Sequence, residues 1–150
     1  MRIGWAVHRT LFRLTGGRVG TERAKDDRLG TLFIGTRWRK TGEIRRNPLF
    51  YLDDGPNLVV AASNIGAERD PGWWRNLQAD PNATVDLAGD RFSIQARRAS
   101  AEEADRLWPR FIAANANFAL YRDQTNRDMP LVILERPAPA SSVEARLGER

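Results

Sequence analysis

The chain contains no cysteine, so disulfides, thiolate metal sites and cysteine nucleophiles are all excluded. Histidine is nearly as scarce: the single copy, His8, lies in the N-terminal segment. That leaves no Ser-His-Asp triad and no histidine metal cluster. An enzyme with this inventory takes its chemistry from a bound cofactor. No apolar run approaches the roughly 20 residues of a membrane span. No small-residue cleavage site follows the first segment, so neither a transmembrane helix nor an exported precursor is expected. Internal repeats are absent too. At 150 residues the chain is expected to be one domain burying roughly 68–70% of its unfolded surface.

Charge is present in quantity but unevenly placed. Residues 1–46 hold 12 Lys or Arg against 4 Asp or Glu, whereas residues 47–150 hold 12 against 15. The positive field therefore belongs to the first third, where an anionic ligand, anionic lipid or nucleic acid could be met. Its densest part is Arg37, Arg39, Lys40, Arg45 and Arg46, opposed only by Glu43 and interrupted by Thr41-Gly42. Glycine reaches positive φ without a Cβ clash, so the chain can turn inside the cluster. Arginine forks and turn N–H groups suit phosphate or carboxylate oxygens; a solvated basic hairpin tip is the plain alternative. Only one aromatic, Trp38, is interleaved with these cations, not the series of stacking platforms that successive bases would require, so a nucleic-acid module is not expected.

In chain order, residues 1–14 read as a helix. Ile3, Val7, Leu11 and Leu14 share one side at about 100° per residue, with Arg2, Arg9 and Arg13 roughly opposite and Trp5 and Phe12 in a third sector. Such a helix either lies in a membrane interface or packs its apolar stripe on the protein. Residues 15–28 read as a polar connection. Strands are predicted at about 29–36, 45–52, 58–62, 83–88, 91–99 and 131–134. Pro48 cannot donate to a ladder and marks the second strand as an edge or a bulge. Asp53-Asp54-Gly55 signals a hairpin. Asp70-Pro71 predicts a helix to about Ala79, with Asp70 as N-cap. Ser100-Ala101-Glu102-Glu103 has capping-box spacing and opens a helix to about Ala114. Six short strands with inserted helices predict a small antiparallel barrel over 29–136, preceded by a helix and linker over 1–28 and followed by a frayed tail over 137–150.

The ordered series Arg39-Lys40-Thr41-Gly42, Arg45, Asn47-Pro48-Leu49, Ala61-Ala62-Ser63, Gly66, Pro71, Trp73-Trp74, Asn76-Leu77, Pro81, Trp108-Pro109, Tyr121, Thr125, Arg127 and Pro130 resembles the deazaflavin-dependent nitroreductase family, the split-barrel reductases that use coenzyme F-420. The resemblance implies a mainly β fold with flanking helices, a six-stranded antiparallel split β-barrel of the flavin-reductase and pyridoxamine-phosphate-oxidase type. It also implies a cytoplasmic monomer or homodimer that transfers hydride to a quinone, nitro or other conjugated acceptor. If the first helix lies on lipid, the protein sits at the inner face of the plasma membrane, where a lipid-soluble quinone would be met.

A deazaflavin carries an anionic phosphate and an oligoglutamate tail, a ribityl chain and a flat ring with a polar edge. Arg39, Lys40, Arg45 and Arg46 offer the tail its cations. Ala61, Ala62, Ser63 and Asn64 offer the ring edge amides and a hydroxyl, and a helix N-terminus near Pro71 would stabilise negative charge there. The resemblance further implies cofactor contacts at Thr41, Asn47, Pro48, Leu49, Phe50, Gly72, Trp73, Trp74, Arg75, Asn76 and Phe118. Core packing is an equal reading of the two tryptophans. Ser63 and Tyr121 are the candidate catalytic contacts, with Asn115 and Phe118 beside Tyr121 over the ring face; no metal is expected. The chain departs from the family pattern at Trp38 and Ile65, where small residues are usual, and in having one tyrosine of three above the ring. A related barrel binding flavin mononucleotide and a non-catalytic deazaflavin carrier are the alternatives.

Overall fold

The computed structural model describes residues 20–26 and 28–137. The helix expected at 1–14 and the tail from 138 onward lie outside these residues. Six strands, β1 (Gly30–Arg37), β2 (Ile44–Asp54), β3 (Asn57–Ala61), β4 (Asn82–Leu87), β5 (Asp90–Arg98) and β6 (Leu131–Glu135), close a barrel in the order β1-β2-β3-β6-β5-β4. Every pairing is antiparallel. Three α-helices accompany them among the described residues: α1 (Gly72–Ala79), α2 (Ala101–Ala114) and α3 (Asn117–Gln124).

Side-chain alternation explains the layers. Leu32, Ile34, Tyr51, Leu58, Val60, Val85, Leu87, Ile94, Val132 and Leu134 point into the barrel, and Trp73, Trp74 and Leu77 of α1 join them there. On the other face of β2, β3 and β6, Leu52, Val59, Leu131 and Ile133 are covered by Leu107, Trp108 and Phe111 of α2 and Phe118 of α3. Burial on both faces is why β3 and β6 read as unbroken apolar runs. Phe111 and Phe118 meet edge-on at 5.3 Å, and Phe118 meets Tyr121 at 5.7 Å.

The local signals landed in different ways. The capping box is complete: Ser100 Oγ accepts from Glu103 N, and Glu103 Oε1 accepts from Ser100 N. Arg97 grips the same carboxylate at 2.7 and 2.9 Å, and this hydrogen bonding holds Glu103 down to about 2. Arg106 pairs Asp54 in fork geometry at 2.8 and 2.9 Å, tying α2 to the β2–β3 hairpin. Asp70, by contrast, does not cap α1. Pro71 holds the N-cap position without a side-chain bond, because the Asp70 carboxylate accepts instead from Arg127. Helix α3 and a 3-10 turn at Asn64–Gly66 were not foreseen. Phe118 is the only buried residue of α3, so no apolar stripe announces it.

Strand β2 leaves one stretch of the barrel wall unpaired on one side. It pairs with β1 from Ile44 to Tyr51, but with β3 only from Leu52 to Asp54. No other described strand pairs with residues 44–51, so that stretch, with Pro48 in its middle, is an open edge, as the proline indicated. The linker is also less detached than its polarity suggests. Glu22 bridges Thr31, and Ala24 N donates to the buried Tyr51 hydroxyl at 2.8 Å.

Candidate functional site

The β1–β2 turn is closed by Trp38 N donating to Glu43 O and Gly42 N donating to Trp38 O, both at 2.7 Å. Gly42, at φ 77°, supplies the left-handed corner that closure needs. The cations the sequence placed here have separate fates. Arg46 Nε donates to Asp86 at 3.2 Å, and Arg91 takes the same buried carboxylate, so Arg46 is spent on the outer wall of the barrel. Arg37 donates to Gly42 O at 2.9 Å and lies 3.9 Å from Asp80. Arg39 is tied to α1: its backbone N and its Nη1 both donate to Asn76 Oδ1, at 3.3 and 2.9 Å. Lys40 and Arg45 have no carboxylate and no hydrogen-bond acceptor among the described residues. Arg45 instead stacks on the Trp38 ring, 4.0 Å from its centroid.

Helix α1 begins against the Trp38 ring on which Arg45 stacks. Its first turn carries no acidic residue and no side-chain cap. Trp74 N and Arg75 N turn back to Pro71 O, leaving the N–H groups of Gly72 and Trp73 directed out of the helix end without a described acceptor. Of the residues expected to touch a cofactor on α1, Gly72 and Arg75 are exposed, whereas Trp73 and Trp74 pack in the barrel interior. Asn76 is only 2% exposed. It donates to Thr36 Oγ1 at 3.0 Å while accepting from Arg39, so it fixes the hairpin to the helix. On the open β2 edge, Asn47 and Phe50 are exposed, while Pro48 and Leu49 are half-buried.

The β3 end contributes less amide than its sequence promised. Ala61 is in the ladder with Leu131, and Ala62 N donates to Pro130 O at 3.0 Å. What remains among the described residues is the Ser63 hydroxyl and the N–H groups of Ser63 and Asn64. Beyond them, Asn64, Ile65 and Gly66 all adopt positive φ, at 42°, 55° and 76°. Isoleucine is unusual there and 70% exposed; backbone strain of this kind costs on the order of 1–3 kcal/mol and concentrates at functional sites.

Arg127 organises this segment. Its Nη2 donates to Ala62 O at 2.9 Å and Ser63 O at 2.8 Å, its Nε to Ala67 O at 2.8 Å, and its Nη1 to Asp70 at 3.0 Å. A lone arginine over sixty positions downstream gives no periodic or spacing signal of such a role. The turn at Gly66 is also pressed against α3, where Tyr121 is half-buried. Phe118 faces the outer core, and Asn115 caps the helix junction, accepting from Asn117 N at 3.0 Å. The expected trio is therefore divided. Tyr121 stands at the surface beside the Ser63–Gly66 segment, while Phe118 supports it from below. Among the described residues, no group of His, Asp and Glu could hold a metal, and no helix is long and apolar enough to cross a membrane.

Comparisons with known proteins point in one direction. The family model described as F420H(2)-dependent quinone reductase matches residues 5–136. A Mycobacterium tuberculosis protein named F420H(2)-dependent quinone reductase is 32% identical over 133 residues, covering 87% of this chain and 88% of its own length. A second protein of that organism, provisionally named for the same reaction, is 38% identical over 104 residues, covering 69% of this chain and 87% of its own. A solved structure described as an F420-H2 dependent reductase matches with a TM-score of 0.64 at 26% identity, covering 70% of this chain and 93% of that one. Another, described as a domain-swapped dimer, has a TM-score of 0.66 at 24% identity over 90% of this chain and 100% of that one, a likeness of fold.

Proposed function

Because the chain belongs to the F420H(2)-dependent quinone reductase family, a family of deazaflavin-dependent reductases, we propose that it binds reduced coenzyme F-420 between the basic hairpin and α1 and reduces a quinone. The observation that carries this reading is an uncapped helix N-terminus set against the Trp38 ring on which the unneutralised Arg45 stacks, in the turn that also carries the unpaired Lys40. Both features favour anionic oxygen, and a phosphate with a carboxylate tail supplies it. Reduction of a quinone to a quinol takes a hydride, which a reduced deazaflavin supplies when bound, and a proton from solvent. The chain's own residues bind and orient. Lys40, Arg45 and the free edge of Arg39 hold the anionic end. Ser63, through its hydroxyl, and the Ser63 and Asn64 N–H groups face the polar ring edge. Tyr121 contacts the acceptor, and nitro compounds or other conjugated acceptors would meet the same face. Flavin mononucleotide is named by none of the relatives above and is the alternative ligand.

Titration of the purified protein with deazaflavin and, separately, with flavin mononucleotide tests the reading. Deazaflavin is expected to bind. Arg45→Ala is expected to weaken it about ten- to a hundredfold, from the loss of one charge-assisted hydrogen bond, and raised salt to weaken the wild type. Unchanged affinity in a folded Arg45→Ala protein would remove the tail assignment. Tighter binding of flavin mononucleotide would replace the cofactor.

A peripheral membrane attachment through residues 1–14 belongs to the same proposal, since it brings a lipid-soluble acceptor to the site. Three arginines near an anionic leaflet contribute about 1 kcal/mol each. The full chain is expected to sediment with anionic vesicles, and a chain lacking residues 1–14 to stay in the supernatant while still binding deazaflavin. Equal sedimentation of both would end the idea.

A further inference from the structure

Most arginines on the α2 side of the barrel are neutralised. Arg97 pairs with Glu103 and Glu135, Arg98 with Asp128, and Arg106 and Arg110 with Asp54. The β1–β2 turn is built differently. The guanidinium carbons of Arg39 and Arg45 lie 4.5 and 4.0 Å from the centroid of one indole, that of Trp38. Two like charges are thereby held close together with no carboxylate between them. Glu43, the one acid of the turn, makes no ion pair with either. The same indole lies against the start of α1: a Cβ added at Gly72 would meet Trp38 Cζ3 at 3.4 Å. Stacking consumes the face of a guanidinium and leaves its edge donors for oxyanions. Arg39 spends Nη1 on Asn76 and keeps the rest of its fork; Arg45 spends none.

We propose that Trp38 is a positioning residue for an oligocarboxylate-binding site, the platform that seats Arg39 and Arg45 together at the uncapped N-terminus of α1. Separate positive centres set along the turn (Arg39, Lys40, Arg45 and the helix end) suit a flexible chain of carboxylates better than one compact anion, because each carboxylate takes its own centre. Identifying that chain with the cofactor's glutamate tail rests on the proposed function; the platform itself does not. The two arginines depend on it unequally. Arg39 is also anchored through Asn76 and Thr36, whereas Arg45 has the indole alone, so removing Trp38 releases Arg45 first.

Calorimetric titration of the full chain with a tetraglutamate peptide, inorganic phosphate and deazaflavin tests the platform in wild type, Trp38→Ala, Trp38→Phe, Arg45→Ala and the Trp38→Ala/Arg45→Ala pair. Trp38→Ala is expected to weaken tetraglutamate and deazaflavin about fivefold and phosphate by less. Trp38→Phe, which keeps an aromatic face, should return to within about twofold of wild type. In the Arg45→Ala background the tryptophan substitution should cost little more, since its effect passes through that arginine. Should Trp38→Ala fail to fold, Trp38→Leu, which keeps apolar bulk without a π face, takes its place with the same expected loss. Full tetraglutamate affinity in a folded Trp38→Ala protein would overturn the proposal, as would equal losses with and without Arg45. Trp38-dependent tetraglutamate binding without deazaflavin binding would uphold the platform and remove the cofactor assignment instead.

Discussion

Replacing Arg127 by methionine is expected to lower the melting temperature by on the order of 10 °C and to cost the protein most of its deazaflavin affinity. The arginine side chain is only 12% exposed, and its guanidinium donates four hydrogen bonds. Methionine keeps much of the volume and none of the donors. The carbonyl of Ala62 then loses its side-chain partner in a buried place, at roughly 1–3 kcal/mol, and that of Ser63 loses less, because it still accepts from Gly66 N at 2.8 Å. Ala67 is exposed and Asp70 partly so, so water offsets those two losses. The net cost is about 3 kcal/mol, and a domain of this size loses about 3–4 °C per kcal/mol. Affinity falls because the released segment carries Ser63 and Asn64 and leads into the N-terminus of α1. Arg127→Lys, a point charge in place of a fork, should recover about half of each effect. Thermal melts and deazaflavin titrations of the three proteins measure this. A folded Arg127→Met protein with wild-type melting and binding would mean that the segment is held by something else.

Gly66→Ala is expected to harm the acceptor side while sparing the cofactor side. At φ 76° an added Cβ would lie 2.9 Å from Gln124 Oε1 and 3.1 Å from both Cα and O of Tyr121. Gln124 can swing away, but the Tyr121 backbone cannot move without α3. The left-handed conformation adds its own cost for alanine, so a total of about 2 kcal/mol is reasonable. Relief comes by pushing α3 off the turn, which displaces Tyr121. The expected result is a KM for quinone raised about tenfold or more, with deazaflavin affinity within about threefold of wild type, because Arg127 still holds Ala62 and Ser63 and Lys40, Arg45 and α1 lie elsewhere. An unaltered KM would separate Tyr121 from the acceptor. A parallel loss of cofactor affinity would mean that the strain at Gly66 reaches Ser63 and Asn64.

Much of this architecture was legible along the chain. The six strands, the open edge at Pro48, the turn at Asp54–Asn57 and the Ser100–Glu103 box all rest on signals spanning a few residues, and each formed within about two positions of its expected bounds. The basic turn was legible for the same reason, as was the helix that begins after Pro71. Helix α3 was not, because its neighbours rather than its own pattern hold it in place.

The division of labour among the charged and polar residues was decided only by tertiary structure. Arg45 and Arg46 are adjacent in sequence and equivalent in composition, but strand alternation points them to opposite faces of β2. Register then decides the rest. Gly35 pairs with Arg46 on one side of β1 and with Thr84 on the other, which brings Arg46 within reach of Asp86 and leaves Arg45 for Trp38. Asn76 reads as a ligand-binding amide until Arg39 and Thr36 are found to occupy it, and Arg127 is one member of a family series with no assigned role until the chain folds back on Ala62 and Ser63. By itself the sequence determined the six strands, the hairpin turns between them, two of the three described helices and where positive charge accumulates, because those properties are local. Which cations stay free for a ligand depends on what lies across a sheet or a loop dozens of residues away, and only the closed barrel supplies those neighbours.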